Sequence, residues 1–244
     1  MRSLTVVIPV YNESVLLPRS FERIRAFLRE TADVAADVVF VNDGSPDDSQ
    51  AVLERLIAET GESARIRIVG YPTNRGKGYA VRQGVLAAEG ELILMSDADL
   101  STPLEEWRKL AAALDAGADV ACGSRAVDGA DVGKPPPVYR RILSKLFNLL
   151  VHLAGVRGIR DTQCGFKLFR RESGHALFSA LKIRRFAFDV ELIAVARMRG
   201  LRVVEVPVHW DYSGHSTVRV FSSGSRMLWD LFVLVLRRWF GGYR

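Results

Sequence analysis

The chain has 244 residues, 48% of them apolar and 25% charged, which suits one α/β domain with an ordinary globular core. Its two cysteines, Cys122 and Cys164, sit in no CxxC or Cys/His cluster, which argues against a disulfide framework or zinc site and fits a reducing compartment. The net charge of +6 divides unevenly: residues 1–124 hold 13 Lys/Arg against 19 Asp/Glu, and residues 125–244 hold 21 against 9. A basic half can attract nucleic acid, anionic lipid or a phosphorylated substrate.

The opening MRSLTVVIPVYNE is too brief for a signal peptide's apolar region plus cleavage site. No apolar run reaches about 18 residues, so no transmembrane helix is expected. Short apolar, β-branched runs at 4–10, 37–42, 64–70, 91–96 and 118–124 predict strands. Helical patterns at 15–31, 47–60, 79–88 and 103–116 alternate with them. That rhythm predicts an α/β fold, a doubly wound, mostly parallel sheet whose ligands collect at the carboxyl ends of the strands. The polar punctuation falls there: Tyr11-Asn12-Glu13, Asn42-Asp43-Gly44-Ser45, Asn74-Arg75-Gly76-Lys77-Gly78 and Asp97-Ala98-Asp99.

After Arg125 the pattern changes. Residues 126–137, rich in Gly and Pro, predict a mobile loop. Residues 138–155 form an amphipathic helix, with Arg140, Arg141, Ser144, Lys145, Asn148 and His152 on one side and a broad apolar face opposite. The stretch from Gly158 to Lys167 is denser in polar side chains than a plain connection needs. Asp189 and Glu191 then open another helix, where they would favour its dipole. Residues 225–244 form a second amphipathic helix, with Arg226, Asp230 and Arg237 on a narrow polar stripe.

Two carboxylates one residue apart at a strand end repel unless a cation lies between them. Asp97 and Asp99 therefore suit Mg²⁺ or Mn²⁺, which binds one or two carboxylates and completes its shell with phosphate oxygens and water. A helix-cap role ahead of Pro103 fits Ser101 or Thr102 better than either aspartate. Arg75 to Gly78 offer cations and small residues to a phosphate, or make an ordinary turn. Asp43 can accept a nucleobase N–H or cap the helix that starts near Pro46.

Taken in order, VVIPVYNE, VFVNDGSPDDS, NRGKG, DADLSTP, ACGSR, GIRDTQCGFKLF and FDVEL resemble the family-2 inverting glycosyltransferases along nearly the whole chain. The resemblance is to the branch that glycosylates polyprenyl or dolichyl phosphate, nearest the dolichyl-phosphate β-glucosyltransferases and related to the dolichol-phosphate mannose synthases. It implies a GT-A-like fold with a nucleotide-sugar half (1–125) and an acceptor half (126–244) carrying interface helices. It implies that Pro9, Tyr11, Glu13 and Asp43 line the base and ribose pocket. Asp97 and Asp99 would bind metal and diphosphate, with Ala98 against the nucleotide sugar and Lys77 nearby, and Arg125, Asp161, Gln163 and Lys167 would face sugar and acceptor phosphate.

The sequence departs from that pattern in places. Ser101 stands where mannose synthases often carry a metal-binding Gln, Leu100 stands where eukaryotic glucosyl enzymes usually have glycine, and their N-terminal membrane anchor is not seen. UDP-glucose is the favoured donor, with GDP-mannose the alternative.

The implied reaction is attack of the acceptor phosphate on the anomeric carbon. A phosphate monoester's second pKa of about 6 leaves it largely ionised, so no strong base is needed and Glu191 is expected to orient other groups. A soluble glycan acceptor, by contrast, would need a carboxylate base. The lipid acceptor requires a membrane surface, placing the protein peripherally on the cytoplasmic face, with Arg140, Arg141, Lys145, Arg237 and Arg238 in the headgroup layer. Nucleic acid is not expected as a partner, because the basic residues flank apolar helix faces rather than stacking aromatics.

Overall fold

The structure, a computed structural model, describes residues 2–135, 137–156, 158–214 and 220–243. The side chains of Arg140 and of residues 220–225 lie outside that description, and with them the expectation that Arg140 joins the basic stripe.

Seven strands form one sheet in the order β3-β2-β1-β4-β7-β5-β8. The strands are β1 (Ser3–Val10), β2 (Ala35–Asp43), β3 (Ile66–Tyr71), β4 (Leu92–Met95), β5 (Val120–Ser124), β7 (Lys167–Arg170) and β8 (Val203–Pro207). All neighbours are parallel except β7, which runs antiparallel between β4 and β5. The continuous apolar runs of β1, β2 and β4 follow from helices covering both faces. Leu4, Val6, Ile8 and Val10 pack against α1 (Leu17–Glu30) and α4 (Trp107–Asp115), with α2 (Ser49–Thr60) alongside. Val7, Val39, Val41 and Met95 pack against α3 (Lys77–Ala87), α6 (Arg171–Ala180) and α7 (Phe188–Met198).

Strand order reverses between β1 and β4, where the β1–β4 pairing stops at Val7–Met95 while β1 runs on along β2 to Val10. Pro9 falls two residues past the last β4 pair, where the ladder on that edge no longer needs its N–H. The two strands part at this point and open a crevice.

Two amphipathic helices close the far side. In α5 (Val138–Leu153) Val151 is fully buried, with Phe147 and Leu150 packed beside it. In α8 (Val220–Trp239) Leu231 and Leu234 reach the core. The rest of their apolar faces stays exposed: Ile142, Leu146, Leu149 and Leu153 on α5, and Trp229, Phe232 and Trp239 on α8.

The predicted strands and helices of residues 4–124 are all present, with ends shifted by a few residues. Beyond Arg125 the structure corrects the reading. Residues 126–137, expected to be a loop, contain β6 (Asp131–Lys134), which pairs with β9 (His209–Asp211) in a separate two-stranded sheet. Strands β7 and β8 and helix α6 were not foreseen, and α8 starts five residues before the predicted 225. β6 has one β-branched residue in four and a partner nearly 80 positions away, so local pattern could not reveal it.

Candidate active site

The crevice deepens into a cleft of about 1530 Å³ lined from β1, the turn after β4, α5, α8 and the β6–β9 sheet. Single-ligand pockets run to about 1,000 Å³, so there is room for a donor and an acceptor headgroup together.

One wall comes from the carboxyl ends of β1 and β2. Pro9, Tyr11, Glu13 and Asp43 all line it, as does Ala98. The Asn12–Ser14 turn is stapled to the next loop by its own amides: Asn12 N–H donates to Ser45 Oγ (3.1 Å), Glu13 N–H to Ser49 Oγ (3.0 Å) and Ser14 N–H to Asp47 Oδ2 (2.9 Å). Asp43 is buried and each oxygen accepts twice: Tyr71 Oη (2.7 Å) and Arg75 N (2.8 Å) on Oδ1, Asn74 Nδ2 and Gly76 N (both 2.8 Å) on Oδ2. Asp43 therefore braces the 71–76 loop that delivers Lys77 to the first turn of α3. Gly76 makes that delivery possible, with φ +102° and backbone so close to Arg184 that a methyl group would lie 2.5 Å from its carbonyl oxygen.

Lys77 and the acid pair meet on the cleft floor. A tight turn follows β4, with Leu100 at φ +48° and its N–H on Asp97 O (3.1 Å). Asp99 accepts from Ser101 N (3.0 Å), Ser101 Oγ (2.8 Å) and Ser213 Oγ (2.8 Å). The Lys77 ammonium lies 2.5 Å from Asp97 Oδ1. That oxygen receives no well-aligned hydrogen bond, so the contact is one of charge. Burial opposes ionisation of Asp97, but Lys77, then Lys167 and Arg125, outweigh it and hold the carboxyl below the usual range. A methyl group on Gly165 would sit 2.2 Å from Asp97 Oδ2, so only glycine lets this backbone pass.

The opposite wall is cationic. Arg125 grips Asp161 through Nε (2.7 Å), Nη2 (2.9 Å) and its own N–H (3.0 Å), and its guanidinium lies 5.1 Å from the Trp210 ring centre. Arg141, Lys145, Arg160, Arg185 and Arg226 also line the cleft, and none of the ion pairs within 4 Å among the described residues involves them. Asn148 of α5 ties this wall together, donating to Arg160 O (2.5 Å) and accepting from Thr162 Oγ1 (3.3 Å).

Two expected site residues lie elsewhere. Lys167 is fully buried, its ammonium on Asp189 Oδ1 (2.5 Å), Cys164 O (2.5 Å) and Thr162 O (3.3 Å), all three donors spent. It is a pin beneath the site and does not face an acceptor. Gln163 does not line the cleft, and its Nε2 is buried with no partner among the described residues. Glu191, also fully buried, accepts from Lys182 N (3.1 Å), Ile183 N (2.8 Å) and the Tyr243 hydroxyl. It orients backbone, and burial raises its carboxyl above the ordinary range. Sequence reasoning missed Arg185, Trp210, Tyr212 and Ser213. The HWDYS stretch (209–213), with two aromatics beside an aspartate, was the available signal.

No group of three or more His, Cys, Asp or Glu among the described residues could hold a metal by itself. Asp97 and Asp99 fit a hard cation only in partnership with substrate oxygens, and the ammonium already seated on Asp97 marks the cation-seeking position.

Residues 5–178 match the family model described as glycosyl transferase family 2. A Drosophila melanogaster protein named dolichyl-phosphate beta-glucosyltransferase is 38% identical over 251 residues, covering 99% of this chain and 77% of the relative. The Homo sapiens protein of that name is 37% identical, covering 100% and 78%. The Saccharomyces cerevisiae one is 33% identical, covering 99% and 76%. Among solved structures, glucosyl-3-phosphoglycerate synthase from Mycobacterium tuberculosis in complex with UDP superposes with a TM-score of 0.67 at 20% identity, covering 97% of this chain and 80% of that one. A Pyrobaculum calidifontis mannosyltransferase in complex with GDP-Man and Mn²⁺ gives 0.65 at 21% identity, covering 97% and 64%. At such identities the likeness is one of fold.

Proposed function

The chain belongs to glycosyl transferase family 2, among the relatives of the dolichyl-phosphate β-glucosyltransferases, and from that premise we propose that it transfers glucose from UDP-glucose to a polyprenyl or dolichyl phosphate at a membrane surface, with inversion. One observation carries the reading. A single cleft joins the acid pair to a wall of cations, and two of them, Arg141 and Lys145, come from one side of α5, whose adjacent side is exposed and apolar.

The donor's base and ribose lie against Pro9, Tyr11 and Glu13, on the wall that Asp43 braces. Asp97 and Asp99, with Ala98 between them, hold Mg²⁺ or Mn²⁺ together with the diphosphate. When bound, the ion supplies positive charge to the departing diphosphate. Lys77 adds a second positive charge there. The acceptor's phosphate, already anionic, is held by charge-assisted hydrogen bonds from Arg125 and the α5 pair Arg141 and Lys145. Asp161 keeps Arg125 in its fork geometry, and no carboxylate acts as a base.

Arg141, Lys145 and Asn148 face the cleft, while Ile142, Leu146 and Leu149 each lie one position on, about 100° round α5, with Leu153 one turn further along the same exposed stripe. A lipid phosphate laid along this helix has its headgroup in the cleft and its tail on the outer stripe. Trp239 and Phe240, 84% and 82% exposed beside Arg237 and Arg238, extend the same surface with an interfacial residue pattern. No helix of the described residues is long and apolar enough to cross a membrane. Two buried free cysteines agree with action on the reducing, cytoplasmic face.

The test offers labelled UDP-glucose or GDP-mannose to the protein with vesicle-borne polyprenyl phosphate. Label should enter the lipid phase from UDP-glucose, stop with EDTA and resume with excess Mg²⁺ or Mn²⁺. Transfer only to a water-soluble acceptor, or full turnover by Asp97→Asn, would sink the reading.

A further inference from the structure

Glu205 is an acidic residue set among valines on β8, the edge strand of the large sheet. Such a residue reads as a solvated edge charge. Its carboxylate is instead engaged three times. Oε1 accepts from Ser124 Oγ (2.7 Å) and Asp161 N (2.9 Å), and Oε2 accepts from Arg160 N (2.7 Å).

These partners lie on either side of one functional group. Ser124 ends β5 and immediately precedes Arg125. Asp161 is the buried carboxylate that grips Arg125 by Nε, Nη2 and N. Glu205 therefore fixes both ends of the Arg125–Asp161 fork, Ser124 through its hydroxyl and Asp161 through its amide. Trp210, on the strand that follows β8, lies against the guanidinium with its ring centre 5.1 Å away. Among the described residues, the Asp161 carboxylate meets Arg125 alone in a hydrogen bond, so the aim of the fork depends on where the 160–161 backbone is held.

We infer that Glu205 is a positioning residue: it holds the 160–161 backbone so that Asp161 aims Arg125 at the acceptor anion. This rests on the reading that Arg125 receives the acceptor phosphate. Glu205 lies behind that contact and touches neither substrate. Replacing one oxygen by an amide NH₂ sets a donor against Arg160 N–H or against the Ser124–Asp161 pair, and the loop must shift to relieve it.

The experiment compares wild type, Glu205→Gln, Arg125→Lys and the double variant in full-length protein. The readouts are acceptor KM, UDP affinity, melting temperature and the NMR exchange rate of the Arg125 side-chain Nε–H, assigned by its loss in Arg125→Lys. Glu205→Gln should raise acceptor KM about tenfold, the loss of one charge-assisted hydrogen bond. It should leave UDP affinity unchanged and speed exchange of the Arg125 Nε–H. In the Arg125→Lys background it should add little. If Glu205→Gln does not fold, Ser124→Ala, which removes one donor to the carboxylate, should move the same readouts less far in the same direction. An unchanged Nε–H rate, or an equal effect with and without Arg125, overturns the inference. Should the wild type glucosylate no prenyl phosphate, the acceptor reading fails, while the Nε–H rate still tests whether Glu205 fixes Arg125.

Discussion

The ammonium of Lys77 carries a single positive charge to share among the anions it meets. In the structure it neutralises Asp97 at 2.5 Å, one of the two carboxylates proposed to meet the metal. A divalent ion approaching alone meets a like charge, whereas a donor diphosphate gives the lysine somewhere else to go. Lys77→Met should therefore bind Mn²⁺ more tightly than wild type without nucleotide and bind UDP more weakly, measured by Mn²⁺ EPR titration and calorimetry. Lys167 makes the opposite case. Fully buried against Asp189, its removal leaves an uncompensated charge worth about 3–5 kcal/mol. Lys167→Met should lose stability of that order in urea unfolding, which a surface phosphate ligand would not. The sequence alone singled out Asp97 and Asp99 because their chemistry is written in two positions one residue apart at a strand end. The family resemblance drew Lys167 to the wrong side of the wall, because a basic residue within a shared motif looks the same whether it faces the cleft or the core. Glu205 was invisible, since its partners are 44, 45 and 81 positions away.

Strands β6 and β9 show what an element adds. His209 bridges them, Nδ1 to Asp131 (2.7 Å) and Nε2 to Asp211 (3.2 Å), while its own N–H donates to Glu106 Oε2 (3.1 Å) and Lys134 N–H donates to Asp211 Oδ1 (2.9 Å). Hydrogen bonding to Asp131, opposed by burial and helped by Asp211, raises the imidazole above its ordinary value of 6.5. A raised value means that protonation stabilises the strap fully below that ordinary value, and that the gain is lost as pH climbs through the raised one. Amide exchange at Tyr212, whose N–H donates to Lys134 O, corrected for intrinsic rate, should show more opening at pH 8.5 than at pH 6. His209→Asn should flatten that slope. For α5 and α8 the apolar faces were legible from periodicity, but not which edge would pack. Val151, Leu231 and Leu234 go inward, and Leu149 and Trp239 do not. Leu149→Glu with Trp239→Glu should abolish flotation with anionic vesicles and leave the melting temperature near wild type.

Across the whole molecule, the division of charge follows the division of labour. On the proposed function, the acidic half would supply the aspartates that need a cation, and the basic half would face anions directly. Exposed basic residues act through a screened field, so vesicle binding should weaken between about 50 and 500 mM salt, with a remainder set by the apolar stripe. Loss of all binding at high salt would mean that charge alone holds the protein to lipid. The doubly wound plan was readable because β1 to β5 each carry their own local signal. The reversed strand was not, because β7 gains its place from Leu94 and Ala121, which flank Leu168 on either side. That insertion has a temporal consequence. As the chain leaves the ribosome, β4 and β5 emerge more than forty residues before β7, each with an edge it cannot yet cover. Half-built sheets with open edges fold slowly and associate readily. The nascent enzyme thus passes through a vulnerable interval in which β5 has no partner at all until residues 167–170 arrive to join it to β4, and which ends only when β8 covers its other edge.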